Sequence, residues 1–168
     1  KQPGATALML ASQNGHTDVA KFLLEAGANV NLQTQQGNTA LIAASQNGHT
    51  DTARLLLDRG ANVNLQTQQG NTALMNASQN GHTETARLLL ETGANIDIQN
   101  QYGWTALMIA SFNGHTDTVR LLLDRGANVE KQNQKGWTAF MLASQNDHDD
   151  IASLIQQHQD KEKHCIIQ

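Results

Sequence analysis

One pattern constrains this chain more than any other. Gly4, Gly37, Gly70, Gly103 and Gly136 stand 33 residues apart, and the same step relates Thr6, Thr39, Thr72, Thr105 and Thr138. It also relates His16, His49, His82, His115 and His148. Five units follow, covering 1–33, 34–66, 67–99, 100–132 and 133–160, with 161–168 as a tail. Units two and three differ at only eight of 33 positions, as recent duplication or deliberate consensus engineering would leave them. A period of this length points to a linear array in which each unit packs against its neighbours.

Unit two shows how one repeat is built. Thr39 is placed to cap a helix that begins Ala40-Leu41-Ile42-Ala43-Ala44. That helix is expected to end near Asn47–Gly48, where glycine can take the left-handed conformation. A second helix is predicted from Thr50 to Asp58, with Asp51 favourably near its N-terminus, Leu55, Leu56 and Leu57 on its buried side and Gly60 as its stop. Ala61-Asn62-Val63-Asn64 then leads through Gln66-Thr67-Gln68-Gln69 to the next glycine as an extended excursion. Helices this short are marginal alone in water, so stacking has to supply the core.

Four motifs recur: Gly-x-Thr-Ala-Leu (Gly37–Leu41), the Asn47-Gly48-His49 turn, the Leu55-Leu56-Leu57 run and Gly60-Ala61-Asn62-Val63-Asn64. On these, the unit resembles the ankyrin repeat over Lys1–Gln159. The resemblance implies an all-α solenoid of five helix-turn-helix units joined by short hairpin-like loops. It also implies a non-catalytic protein without cofactor, whose concave face of loop tips and first helices holds a protein or peptide ligand. The chain departs from the family at the first helix. Ala7, Ala40, Ala73, Ala106 and Ala139 replace its proline, and Met9, Ile42, Met75, Met108 and Met141 replace its histidine. These departures bear on stability rather than on fold.

Composition removes most other functions. The net charge of −4 leaves no basic stripe for a nucleic-acid backbone, and neutral amides (19 Gln and 16 Asn) take the place of charge. The single cysteine, Cys165, excludes an intrachain disulfide and a multi-cysteine zinc site. The in-phase histidines cannot form a metal ladder. Neighbouring units should lie about 8–10 Å apart, whereas zinc binds nitrogen at about 2.0–2.1 Å. They read instead as turn-stabilising residues at the start of each second helix. Asp147, Asp149 and Asp150 read as carboxylates at a helix N-terminus. Lys21/Glu25, Arg54/Asp58, Arg87/Glu91 and Arg120/Asp124 read as i,i+4 pairs on a solvated outer face. No nucleophile elbow, phosphate loop, zinc-protease motif or paired-carboxylate cleft is visible.

With no signal peptide or membrane-length apolar run, a cytoplasmic monomer is expected. A chain opening on Lys1 is expected to be a fragment or a processed form. The terminal Cys165-Ile166-Ile167-Gln168 fits the prenylation pattern, so membrane association is expected only if Cys165 is lipidated.

Comparing the units with one another locates the candidate site. Four positions vary in character: the third (Pro3, Gln36, Gln69, Tyr102, Lys135), the fifth (Ala5, Asn38, Asn71, Trp104, Trp137), the tenth (Leu10, Ala43, Asn76, Ile109, Leu142) and the thirteenth (Gln13, Gln46, Gln79, Phe112, Gln145). Four of the six aromatics occupy these positions in the last two units. Tyr102, Trp104, Phe112 and Trp137 are therefore the expected hot spot, extended by Ile109 and Leu142, with Lys135 at the rim. Asn76 and Gln79, on a helical stripe expected to be wet, continue the groove. Trp104→Ala is expected to weaken partner binding while changing stability little. Two other readings remain open: a targeting segment of a larger enzyme or effector, and an engineered consensus-like scaffold. The fifth unit has the features of a C-terminal cap, with Asp147 in place of the turn glycine, Gln156 where the others have leucine, and a last helix expected to run on toward Lys163.

Overall fold

The structure, a computed structural model, describes residues 6–166, with side chains through Lys161. Pro3, Gly4 and Ala5 lie outside the described residues, as do the side chains of the Cys165–Gln168 motif. Ten helices follow in order: α1 Ala7–Gln13, α2 Thr17–Glu25, α3 Ala40–Gln46, α4 Thr50–Asp58, α5 Ala73–Gln79, α6 Thr83–Glu91, α7 Ala106–Asn113, α8 Thr116–Asp124, α9 Ala139–Gln145 and α10 Asp149–Ile166. No strand occurs among the described residues. The helix bounds expected in unit two are those observed, and α10 runs past Lys163 and crosses residue 160 without a break.

The cap residues set where each first helix begins. Thr6, Thr39, Thr72, Thr105 and Thr138 hold extended backbone, and each Oγ1 accepts the N–H three residues on at 3.1–3.3 Å. At the other end of α3, Gly48 turns left-handed (φ 70°) and the His49 N–H reaches back to the Ala44 carbonyl at 3.0 Å. Seven or eight residues is all the first helix has, so tertiary packing must hold it.

That packing is regular. Leu41, Leu74 and Leu107 from the first helices meet Leu56, Leu89 and Leu122 from the second, all essentially without exposure. Burying one such leucine contributes roughly 1.5–3 kcal/mol before conformational entropy is counted. Ala44, Ala77 and Ala110, with Ala53 and Ala86, are equally buried and let the helices approach closely. First helices stack on first helices and second on second, in two layers, and the first-helix layer is the more closely packed. The inner side of the array therefore carries α1, α3, α5, α7 and α9.

The excursions between units are tight hydrogen-bonded loops. In unit two the Gly37 N–H donates to the Thr34 carbonyl at 2.8 Å, and the Thr34 N–H to that of Asn38 at 2.9 Å. Successive loop tips are tied by backbone bonds from Gln68 to Gln36, Gln101 to Gln69 and Gln134 to Tyr102, at 2.8–3.0 Å. Much of the chain's amide content is spent here. The Gln33 Nε2 donates both to the Gly37 carbonyl at 2.9 Å and to that of Gln66 in the next unit at 3.0 Å. Gln99 repeats the pair with Gly103 and Gln132.

The histidines stand at the start of each second helix, and no side-chain cap bond forms at His49, His82 or His115. Each Nε2 instead donates to a carbonyl of the preceding unit, His49 to Gln13, His82 to Gln46, His115 to Gln79 and His148 to Phe112, at 2.9–3.1 Å. Among the described residues the outer ion pairs are not the expected i,i+4 ones: two bridge units and one spans i,i+3 within α6. Arg59 meets Glu25 at 3.7 Å and Arg125 meets Glu91 at 3.5 Å, while Arg87 pairs with Glu84 rather than Glu91. The arginines just beyond α4 and α8 thus pair with the last carboxylate of the preceding unit's second helix.

Candidate recognition surface

The four variable positions converge on the inner face. Between units one and two a hollow of about 290 Å³ is lined by Gln13, Gln36, Asn38, Ala43 and Gln46, which occupy positions thirteen, three, five, ten and thirteen. Between units two and three a second hollow, about 300 Å³, is lined by Gln36, Asn38, Gln69, Asn71 and Asn76. Loop tips form one wall and first helices the other. The linings of these hollows carry no charged side chain, only amides, hydroxyls, a methionine and an alanine.

In unit four the same register holds rings. Trp104 at position five meets Phe112 at position thirteen edge to face, with centroids 5.5 Å apart and planes at 85°. Phe112 is 41% exposed and Tyr102, at the loop tip, 50%. Trp104, Ile109 and Trp137 are half-buried against the core, and Lys135 is exposed at the neighbouring tip. The expected aromatic group is thus divided, with an exposed pair, Tyr102 and Phe112, standing on a half-buried base.

Two residues of the expected set are placed differently. Leu142 is 4% exposed and belongs to the core beneath the patch. Asn76 is buried at 9%, so the helical stripe is wet at Gln79 and Asn80 but not there. The backbone explains it: the Asn76 Nδ2 donates to the Thr72 carbonyl at 3.1 Å, and its own carbonyl accepts from the Asn80 side chain at 3.2 Å. The asparagine turns its amide back on its helix and reaches the hollow only as part of its floor. Trp104, packed on the core, also contributes to stability, so its truncation is no longer a clean probe of binding.

The structure adds two positioning residues. Asn100 opens unit four where units two and three have Thr34 and Thr67, and its Oδ1 accepts from both the Tyr102 and Trp104 N–H groups at 3.0 Å. Its Nδ2 donates to Asn71 of the preceding unit at 2.8 Å. Asn133 does the same for Lys135 and Trp137 at 2.9 and 3.0 Å. The Thr34 and Thr67 hydroxyls each accept one such bond among the described residues, from the Asn38 and Asn71 N–H groups. The signal was present as a coincidence: threonine becomes asparagine in the two units whose fifth residue becomes tryptophan.

Among the described residues no helix is long and apolar enough to cross a membrane. A comparison with curated proteins returns no match. The family described as ankyrin repeats (three copies) matches residues 1–67, 60–133 and 92–165, so nearly the whole chain is covered. Ankyrin repeats are generally protein–protein interaction modules and typically non-catalytic. Its paired helices, loop-tip hydrogen bonds and 33-residue period agree with that match, and the chain belongs to the ankyrin-repeat family.

Proposed function

We propose that this chain is a non-catalytic recognition module whose inner face holds a protein or peptide partner, with Tyr102 and Phe112 as the anchoring contacts. The observation that carries this reading is the Trp104–Phe112 pair, which fixes an exposed ring on the inner face through a half-buried one. Rigid aromatic anchors of this kind concentrate binding energy, and their rotamer freedom is already lost in the free protein. Gln36, Asn38, Gln69 and Asn71 offer paired donors and acceptors to a partner's backbone. Lys135 sets a single positive charge at the rim. The partner therefore brings an apolar side chain to unit four and an uncharged polar stretch to units two and three. The module acts as a monomer in the cytoplasm. Lipidation of Cys165 would tether it to a membrane without altering the groove, and intact-mass measurement of the chain from eukaryotic cells decides that addition.

The test is selection of peptides from a displayed random library, followed by affinity measurement on variants. Phe112→Ala and Tyr102→Ala should each weaken the selected peptides by about 2 kcal/mol, roughly 30-fold, with helical content and Tm unchanged. Peptides that bind the double variant as tightly as the parent would overturn the reading.

A further inference from the structure

Four interfaces join the five units, and each buries the same side of the later unit's second helix. Thr52, Thr85, Thr118 and Ile151 share position nineteen and are at most 1% exposed. In unit one that position is Val19, 51% exposed, and one turn further Phe22 is 69% exposed. Leu23 is half-buried, although Leu56, Leu89, Leu122 and Ile155 at its position are fully buried. The side that α2 presents toward the start of the array is thus more apolar than the internal interfaces, and uncovered among the described residues.

The polar half of an inter-unit joint is also present there. His16 stands where His49, His82, His115 and His148 each reach a carbonyl of the unit before. Asn29 stands where the N–H groups of Asn62, Asn95 and Asn128 donate to Asn31, Asn64 and Asp97, at 2.7–2.9 Å. The earlier interfaces pair hydroxyls, Thr17 with Thr52, Thr50 with Thr85 and Thr83 with Thr118. At the last, an aliphatic Ile151 replaces the threonine and Thr116 donates to Asp150 at 2.7 Å. Asp18-Val19 repeats the Asp150-Ile151 arrangement, so unit one carries groups of the kind with which later units meet the unit before them.

The other end differs. Asp147 keeps the left-handed backbone of the turn glycines (φ 59°) but carries a Cβ. A Cβ on Gly114 would stand 2.6 Å from the His148 ring, so a histidine arriving in register on Asp147 has no room. Head-to-tail stacking of two copies, with His16 of one on Asp147 of the other, is therefore blocked.

We propose that the face of α1 and α2 carrying His16, Val19 and Phe22 is a stacking site for one further ankyrin-type unit with glycine at its turn, received in the register that joins units one and two. The occupant follows from continuity with the four interfaces already formed, since His16 and Asn29 repeat their polar groups and Val19 is aliphatic as Ile151 is. Its glycine is required because the His16 ring needs the space that a Cβ would take.

The test extends the full chain with a copy of residues 34–66 placed ahead of residue 1, beside the same extension carrying Gly48→Asp in the copied unit. Stacking should raise the thermal midpoint by about 5 °C or more and slow amide exchange across Val19–Leu24 at least about tenfold. The aspartate extension should lose both effects. The α2 exchange is read within the parent's own fold, so failure of the added unit to fold shows as no protection and counts against the proposal. An aspartate extension that protects α2 equally would overturn the register argument. Sedimentation showing that the unextended chain dimerises, with the dimer abolished by Phe22→Glu, would assign the face to a second copy instead.

Discussion

The imidazole of His148 fills the space that a Cβ on Gly114 would enter, its Cε1 2.6 Å from that point. The same ring donates from Nε2 to the Phe112 carbonyl at 3.1 Å, so one side chain seals a turn and ties off a helix end of the preceding unit. The Asn-Gly-His motif is in this sense a joint shared by two repeats, with the glycine of one serving the histidine of the next.

Gly81→Ala therefore does more than strain a turn. The backbone there has φ 67°, and the new Cβ would lie 2.6 Å from His115 Nδ1. A loss of about 3 kcal/mol is expected, of which the left-handed alanine accounts for about 1–2 and crowding of the ring for the rest. Urea denaturation of the two single variants and of Gly81→Ala/His115→Ala checks it. The double variant should lose less than the singles together.

Ser12, Ser45, Ser78 and Ser111 are fully buried, and each Oγ has no hydrogen-bond partner among the described residues. A buried hydroxyl left unpaired carries its desolvation cost uncompensated. Ser45→Ala, Ser78→Ala and Ser111→Ala should each stabilise the chain by up to about 1 kcal/mol. The shift in urea midpoint at unchanged slope measures the gain.

Asp150 is held below its ordinary value of 3.8, chiefly by the hydrogen bond from Thr116; burial opposes this, and backbone N–H groups and the nearby His148 add smaller lowering effects. The carboxylate is the form the fold prefers. Its contribution is present above the unfolded value and is lost as pH falls through the lower folded one. Parent and Asp150→Asn should therefore differ in stability at neutral pH and converge at acid pH, as a pH series of denaturation curves would show. Because the group is exposed, the difference is small and weakens with salt.

Removing residues 1–33 should leave a folded four-unit array. The new end would present Thr52 and Leu55 in place of Val19 and Phe22, a less apolar face than the present one. Removing 133–168 uncovers Met108 and Leu123, now at most 5% exposed, and leaves Gly114 without its histidine. That truncation should aggregate, and light scattering of the two side by side decides it.

The candidate site was legible as a set of positions and not as a set of exposures. Unit-to-unit variation marked positions three, five, ten and thirteen, and the structure gathers them on one face. It also sinks Leu142 into the core and turns Asn76 back onto its own helix, because position ten sits where the first helix meets the floor of the groove. Whether such a side chain is presented or swallowed depends on the neighbouring repeat, which no single unit describes.

The residues alone determined what depends on short-range geometry. A threonine cap and a left-handed glycine act within a few residues of themselves, so the helix bounds of unit two and the length of the repeat could be read directly. The direction in which His49, Arg59, Gln33 and Asn31 bond could not. Each lies within reach of its own unit or an adjoining one, and the choice depends on the rise and offset between stacked units. Those distances come from how Leu41, Leu56 and their repeats pack against one another, which makes them a property of the assembled array.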